Sequence, residues 1–338
     1  MLRWLVLRIL VMSLTLLGVT LVTFVVLDSA PVDRAEIEAM RGAQDNPFAD
    51  PSSRDEAVWQ LRVHYGMVDA ATRQPVPLWR RYAAWLGSAA RLRFAGPNED
   101  HAAFWRRFAD TVPVTAWLGG LALLVAFGLG LPLGAWCGMR VGTRGDRFFA
   151  RATFVLAGVP EFLLAMLLVL ALAGRRRIFP ASGLRSDGAG EWSLLAQVAD
   201  FAWHMVLPVT VMAILPAVLV VRFVRDSIAR AVHQPFALSL RALGTEPHRL
   251  RRRLLRNALA PAATLAGSLL PMLVAGSIVV ENMFSLDGVG HLAFTAVLRQ
   301  DQAMVMAIVV LTSGATLVSL LLSDLLHRAV DPRVRLVK

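Results

Sequence analysis

Residues Ser239 to Pro261 read SLRALGTEPHRLRRRLLRNALAP and lie between two long apolar runs. Arginines crowd this stretch and a glycine and a proline interrupt it, in a chain that is otherwise mostly apolar. Leu240-Arg241-Ala242-Leu243-Gly244 predicts a short amphipathic helix that stops at glycine, a residue enriched just past helix ends. Thr245-Glu246-Pro247 then starts a second helix, with proline near its first turn and arginines along it as far as Asn257. These residues leave two readings open. The elbow is a rigid contact for a partner protein, or Arg249, Arg251, Arg252, Arg253 and Arg256 hold an anionic inner leaflet. Arginines suit the lipid, which leaves the shorter helix before Gly244 for the partner.

Composition narrows the class. The 338 residues are 56% hydrophobic and 17% charged, whereas a soluble domain carries roughly a quarter charged residues. The apolar residues come in blocks, as in a membrane protein. A net charge of +11 could suggest nucleic acid, but no recognition module accompanies it and the basic residues alternate with the apolar blocks. Nucleic acid is not an expected partner. One cysteine, Cys137, supports neither a disulfide framework nor a cysteine metal site. Lys338 is the only lysine, so a phosphate-binding Gly-x-x-x-x-Gly-Lys-Ser/Thr loop is excluded, and lysine Schiff-base chemistry is not expected. The histidines form no His-Glu-x-x-His pair, and no nucleophile stands beside a base. The expectation is a membrane protein without a catalytic site, cofactor or metal of its own.

A helix crossing the hydrocarbon core needs about 20 mainly apolar residues. Six runs qualify: residues 4–27, 112–138, 148–173, 202–224, 259–281 and 303–327. Backbone groups in lipid must be satisfied internally, so each run is expected to be helical. The first is too long for a signal-peptide core and has no small-residue cleavage site, and it reads as a retained helix. Arginine concentrates in residues 1–8, 140–151, 222–256 and beyond 328, which puts those segments and both termini in the cytoplasm. Arg175, Arg176 and Arg177 run against that orientation. Glycine and proline in VPVTAWLGG, GLGLPLGAW and ILPAV suit close packing and kinks.

Residues 28–110 are the one sizeable part outside the spans. Ser53 and Glu56 predict a capping box ahead of EAVWQLRVHY. Trp79, Tyr82, Trp85 and Trp105 suit a membrane interface, so a small helical cap on the outer surface is expected, with docking of an external protein as the second reading. Glu161 is the most interior ionisable residue and reads as a helix start or interfacial group ahead of a substrate ligand. Asp28, Asp200, His204, Glu281 and Asp324 lie near span ends, within reach of water or headgroups, and Arg222 and Arg225 can snorkel. An ion-coupled carrier would place several charges near the midplane, and their scarcity argues against one.

LRALG followed by RNALAP resembles the cytoplasmic loop of binding-protein-dependent ABC importer permeases of the dipeptide, oligopeptide and nickel branch. There, Ala-Arg-Ala-x-Gly precedes a His/Arg-rich helix and Arg-Asn-Ala-Leu-x-Pro. HMVLPVTVMAILPAVLVVRFVRDSI, FPASGL, VVENMFSLDGVGHL and DPRVR resemble four further family segments, and the likeness extends over most of the chain. It departs where Leu238-Ser239-Leu240 stands for Glu-Ala-Ala, DSAPVDRAE for a Pro-Gly-Asp-Pro turn, and Asp287 for a common proline.

The resemblance implies an all-α, polytopic MetI-like permease fold with six transmembrane helices. Its expected parts are the first helix (1–27), an extracytoplasmic helical insertion (28–110), a five-helix core (111–330) with a coupling loop at about 225–258, and a cytoplasmic tail (331–338). It implies a permease subunit in the bacterial inner membrane that forms half of an ATP-driven path for di- or oligopeptides and has no ATPase site. Nickel-chelate and glutathione-type solutes are alternatives in the same branch, and a membrane scaffold or receptor is the alternative from another class. Implied partners are a second homologous permease, two ABC ATPase subunits, an extracytoplasmic substrate-binding protein and membrane lipid. Leu240, Arg241, Ala242, Leu243, Gly244, Thr245 and Glu246 would couple to the ATPase, with Arg249, Arg256 and Asn257 supporting the loop.

Overall fold

The computed structural model describes residues 2–29, 35–36, 39–40, 51–94, 100–246, 248–250, 252–255, 265, 269 and 277–330. Among them, regular structure is helical, apart from one isolated bridge between Val68 and Pro75. The named α-helices are α1 (Leu2–Asp28), α2 (Pro51–His64), α3 (Leu78–Ala89), α4 (His101–Met139) and α5 (Arg144–Gly158). They continue with α6 (Glu161–Leu168), α7 (Leu194–Val232), α8 (Pro235–Ala242), α9 (Val289–Leu298) and α10 (Gln302–Val330). α6 runs on as a wider π-helical segment, Val169–Arg175.

By length and apolarity, α1, α4, α7 and α10 can each cross a bilayer. The run at 148–173, expected as one straight span, is instead a bent pair: α5 and the extended α6 meet at 102°. Pro160 is the cause. A residue before proline is pushed out of the helical region, and Val159 is extended at φ −85° and ψ 121°. The expected span at 259–281 lies outside the described residues except for 265, 269 and 277–281. α2 begins at Pro51, so Ser53 sits inside its first turn and not at the predicted cap. Proline is tolerated there because the first-turn N–H groups have no intrahelical acceptor.

The chain forms two compact units. One comprises Met1–Asp110 and Leu292–Leu317. In it, α3 is fastened to α1: Tyr82 donates its hydroxyl to the Leu17 carbonyl at 3.2 Å and lies 3.0 Å from the Thr20 hydroxyl. Arg81 pairs with Asp28 at 2.6 Å, and Phe24, Tyr82 and Trp85 pack ring against ring. Leu7, Leu10, Leu14, Val22 and Val26 of α1 remain exposed, an apolar surface suited to lipid.

The other unit comprises Thr111–His291 and Val318–Lys338, and α7 is its centre. Met205, Leu207, Val211 and Met212 of α7 pack with Leu118 and Ala122 of α4, Ala165 of α6, and Val280, Phe284 and Leu286. Three segments that carry the family resemblance thus meet in one core: HMVLP, FPASGL and the stretch around Phe284. The Gly183 N–H donates to the Phe284 carbonyl at 2.9 Å, and Phe179 lies 4.4 Å from Trp203, ring centre to ring centre.

Candidate functional site

α7 ends at Val232, and only its cap residue His233 and Gln234 separate it from α8. Pro235 opens α8 at a position where its missing N–H is no loss. The helix therefore starts five residues before the predicted Leu240 and ends at Ala242, so Leu243 to Glu246 form the turn that leaves it. One face of α8 is anchored: Ala237 is buried with Ala231, Leu250 and Leu254, and Phe236 and Leu240 pack on that cluster. Leu238 on α8 is 51% exposed, and Leu243 in the turn that follows is 80% exposed.

The turn is set by Gly244, whose φ is +69°. Thr245 donates its N–H to the Leu240 carbonyl at 3.0 Å, the six-to-one bond of a Schellman stop. A Cβ on Gly244 would meet nothing within 4 Å, so the constraint is conformational and not spatial. The Glu246 carbonyl accepts from Arg249 and Leu250 N–H groups at 3.0 and 3.1 Å, which starts the next helical segment. Its carboxylate lies 3.1 Å from the Arg249 guanidinium and 3.5 Å from His248. In that segment Leu250 and Leu254 turn inward at helical spacing, while Arg249, Arg252 and Arg253 stay exposed. The arginine-faced helix is thus a buttress for α8. Arg256, Asn257 and the Arg241 side chain lie outside the described residues.

Behind the elbow, α7 is clamped to the α4–α5 hairpin. Arg225 was expected to snorkel, but its guanidinium donates to Asp146 at 2.6 and 2.9 Å, a bidentate pair, and to Asp226 at 2.9 Å. Asp146 is 2% exposed. It also accepts the Gly142 N–H at 2.9 Å, while Thr143 caps α5 by accepting the Asp146 N–H. A buried carboxylate persists only with such partners. Thr143-x-x-Asp146 is a capping pattern that was available in the sequence. Above this pair, Gly130, Gly134 and Gly138 of α4 lie against α7. A Cβ on Gly134 would sit 2.7 Å from the Val221 carbonyl, and one on Gly138 would sit 2.6 Å from the Arg225 carbonyl. Glycines four apart let two backbones meet in lipid.

The remaining ionisable residues occupy defined positions. Glu161 opens α6, in keeping with its expected helix-start role. Asp200 accepts from the Ser186 N–H and hydroxyl at 2.8 and 2.7 Å, and His204 Nδ1 lies 2.9 Å from the Asp200 carbonyl. Glu281, expected within reach of water or headgroups, is 0% exposed.

Residues 130–336 match the family described as the binding-protein-dependent transport system inner membrane component. The chain is 27% identical over 292 residues to the dipeptide transport system permease protein DppB of Lactococcus lactis, covering 86% of this chain and 89% of that protein. It is 25% identical over 321 residues to the oligopeptide transport system permease protein AppB of Bacillus subtilis, covering 93% of each. It is 29% identical over 229 residues to the peptidoglycan transport system permease protein YejB of Agrobacterium fabrum, covering 67% of this chain and 63% of that relative. With α5 to α10 inside the matched region, this chain belongs to the family of inner-membrane components of binding-protein-dependent transport systems.

Proposed function

We propose that the chain is one permease half of an ATP-driven peptide importer, worked through the α8 elbow by separate ATPase subunits. The observation that carries the reading is α8 and the turn it leads into: Leu238 stands exposed on the helix and Leu243 on the turn, while Ala237 pins the helix against Leu250 and Leu254. Exposed apolar side chains on a braced short helix suit a groove on a partner protein. The elbow and the arginine-rich turn at 140–151 face the cytoplasm, with both termini on that side and residues 28–110 outside. A push on α8 passes through His233 and Gln234 into α7, then through Asp146–Arg225 and the glycine contacts into α4 and α5. Energy comes from ATP bound by other chains, and this chain transmits movement and forms half of the path. The remaining partners are a second homologous permease and an external binding protein. Its relatives are named for different solutes, and peptides are the class we assign.

Gly244→Val tests the assignment in vesicles holding the full transporter. Valine at a left-handed position is strained by about 1–2 kcal/mol or more, so the turn out of α8 should distort while the spans insert normally. The expected result is ATP hydrolysis largely disconnected from peptide uptake. Uptake per ATP equal to that of the unaltered protein would refute the coupling role.

A further inference from the structure

The segment from Glu281 to His291 folds back on itself around one carboxylate. Glu281 Oε1 accepts the Thr115 hydroxyl at 2.7 Å, and Oε2 accepts the His291 N–H at 2.9 Å. The Ser277 side chain bonds to the same carboxylate. Thr115, having donated, accepts the Val289 N–H at 2.9 Å. Two of the first three N–H groups of α9, at Val289 and His291, are therefore satisfied by two side chains from outside the helix. Such groups have no partner within their own helix. His291 Nδ1 lies 2.9 Å from Asn282 Oδ1 and adds a further tie.

The two glycines are required by this arrangement. A Cβ on Gly288 would overlap the Glu281 carboxyl group. One on Gly290 would lie 2.7 Å from Ile278 Cα and 2.9 Å from Glu281 Oε2. The Glu-x-x-Phe-Ser-x-x-Gly-x-Gly pattern is thus a carboxylate and the space cleared for it. A local Ser or Asp cap would serve a helix end more simply. The remote carboxylate instead joins α9 to α4 next to Pro113, a proline inside α4. α9 is ten mainly apolar residues, about 15 Å long, or half of a ~30 Å hydrocarbon core. Phe284, Leu286 and Gly288, in the irregular run before it, are buried in protein, as backbone at membrane depth must be. A fully enclosed ionisable residue in such a place is a functional candidate with its partners named.

We propose that Glu281 is a positioning residue for transport: through Thr115 it ties the start of α9 to α4, so that α9 follows α4 during the transport cycle. The inference rests on the permease reading. Thr115 is the connecting element, since its hydroxyl touches both the carboxylate and the α9 backbone. Serine can keep both bonds and valine can keep neither.

The experiment uses the assembled transporter with Glu281→Gln, Thr115→Val and Thr115→Ser. Peptide uptake per ATP is measured at equal amounts of complex, together with hydrogen exchange at the amides of Val289 and His291. Glu281→Gln and Thr115→Val are expected to lower uptake per ATP about tenfold, the scale of one lost hydrogen bond to a charged group. Both should speed exchange at those amides, and Thr115→Ser should behave as the unaltered protein. If Glu281→Gln fails to assemble, the Thr115 pair decides. Uptake per ATP left intact by Thr115→Val would overturn the proposal, as would unchanged exchange or a serine variant as impaired as the valine one. If the unaltered transporter moves no peptide, the functional reading fails separately, and the exchange result still decides whether the tie exists.

Discussion

Single side chains decide how movement could pass through this molecule. Asp146 is the clearest case, because its carboxylate meets Arg225 across two helices and the Gly142 N–H within its own turn. Breaking a buried pair leaves a charge uncompensated, at about 3–5 kcal/mol. The Arg225 side chain is 26% exposed, which favours the lower end of that range. Asp146→Asn should lower the thermal unfolding midpoint of the detergent-purified protein more than Asp226→Asn, whose carboxylate is 54% exposed. Equal midpoints for the two variants would remove Asp146–Arg225 from the proposed transmission route. The pair was not legible in the sequence, since its members stand 79 positions apart and Arg225 sits at a span end where snorkelling is the usual expectation. Gly244 was legible, because a glycine after an amphipathic run has a local meaning. Glu281 was legible only as part of a resemblance. Its donors come from Thr115 and from residues after it, and no helical period connects them.

At the scale of elements, local chemistry was read correctly where it was self-contained and misread where it depended on a neighbour. Apolar length identified α1, α4, α7 and α10. It did not register the break between α5 and α6, because counting apolar residues ignores the missing N–H of Pro160. It also started α8 too late, because Pro235 has no apolar or charged signature. The contact of α4 with α7 gives a sharp comparison. A Cβ on Gly134 would press on the α7 backbone, whereas one on Gly120 would meet nothing within 4 Å. Overpacking a close contact costs about 1–3 kcal/mol. Gly134→Leu should lower the unfolding midpoint of the isolated, purified chain, and Gly120→Leu should leave it nearly unchanged. Similar midpoints would mean that the glycines of α4 do not set the helix approach.

Across the whole molecule, the sequence's thin charge and blocked apolar residues led to a membrane protein, its lysine content left no P-loop, and the family resemblance implied an engine made of other chains. What remained hidden was the internal wiring. α7 alone buries fifteen of its residues and leads into the elbow at one end, so it is the core of its unit and, in the proposed mechanism, the lever. The arginine-bearing helix of the loop, expected at the lipid surface, also supplies Leu250 and Leu254 to brace α8. The central claim is that α8 is gripped by an ATPase subunit. Leu243→Cys in a Cys137→Ser background places the only thiol of this chain on the exposed side of the elbow. Short-span crosslinking of the assembled transporter should then join this chain to the ATPase subunit. Recovery of an intact complex in which the introduced thiol reacts only with reagents on the outer face, and never with the ATPase, would contradict the account.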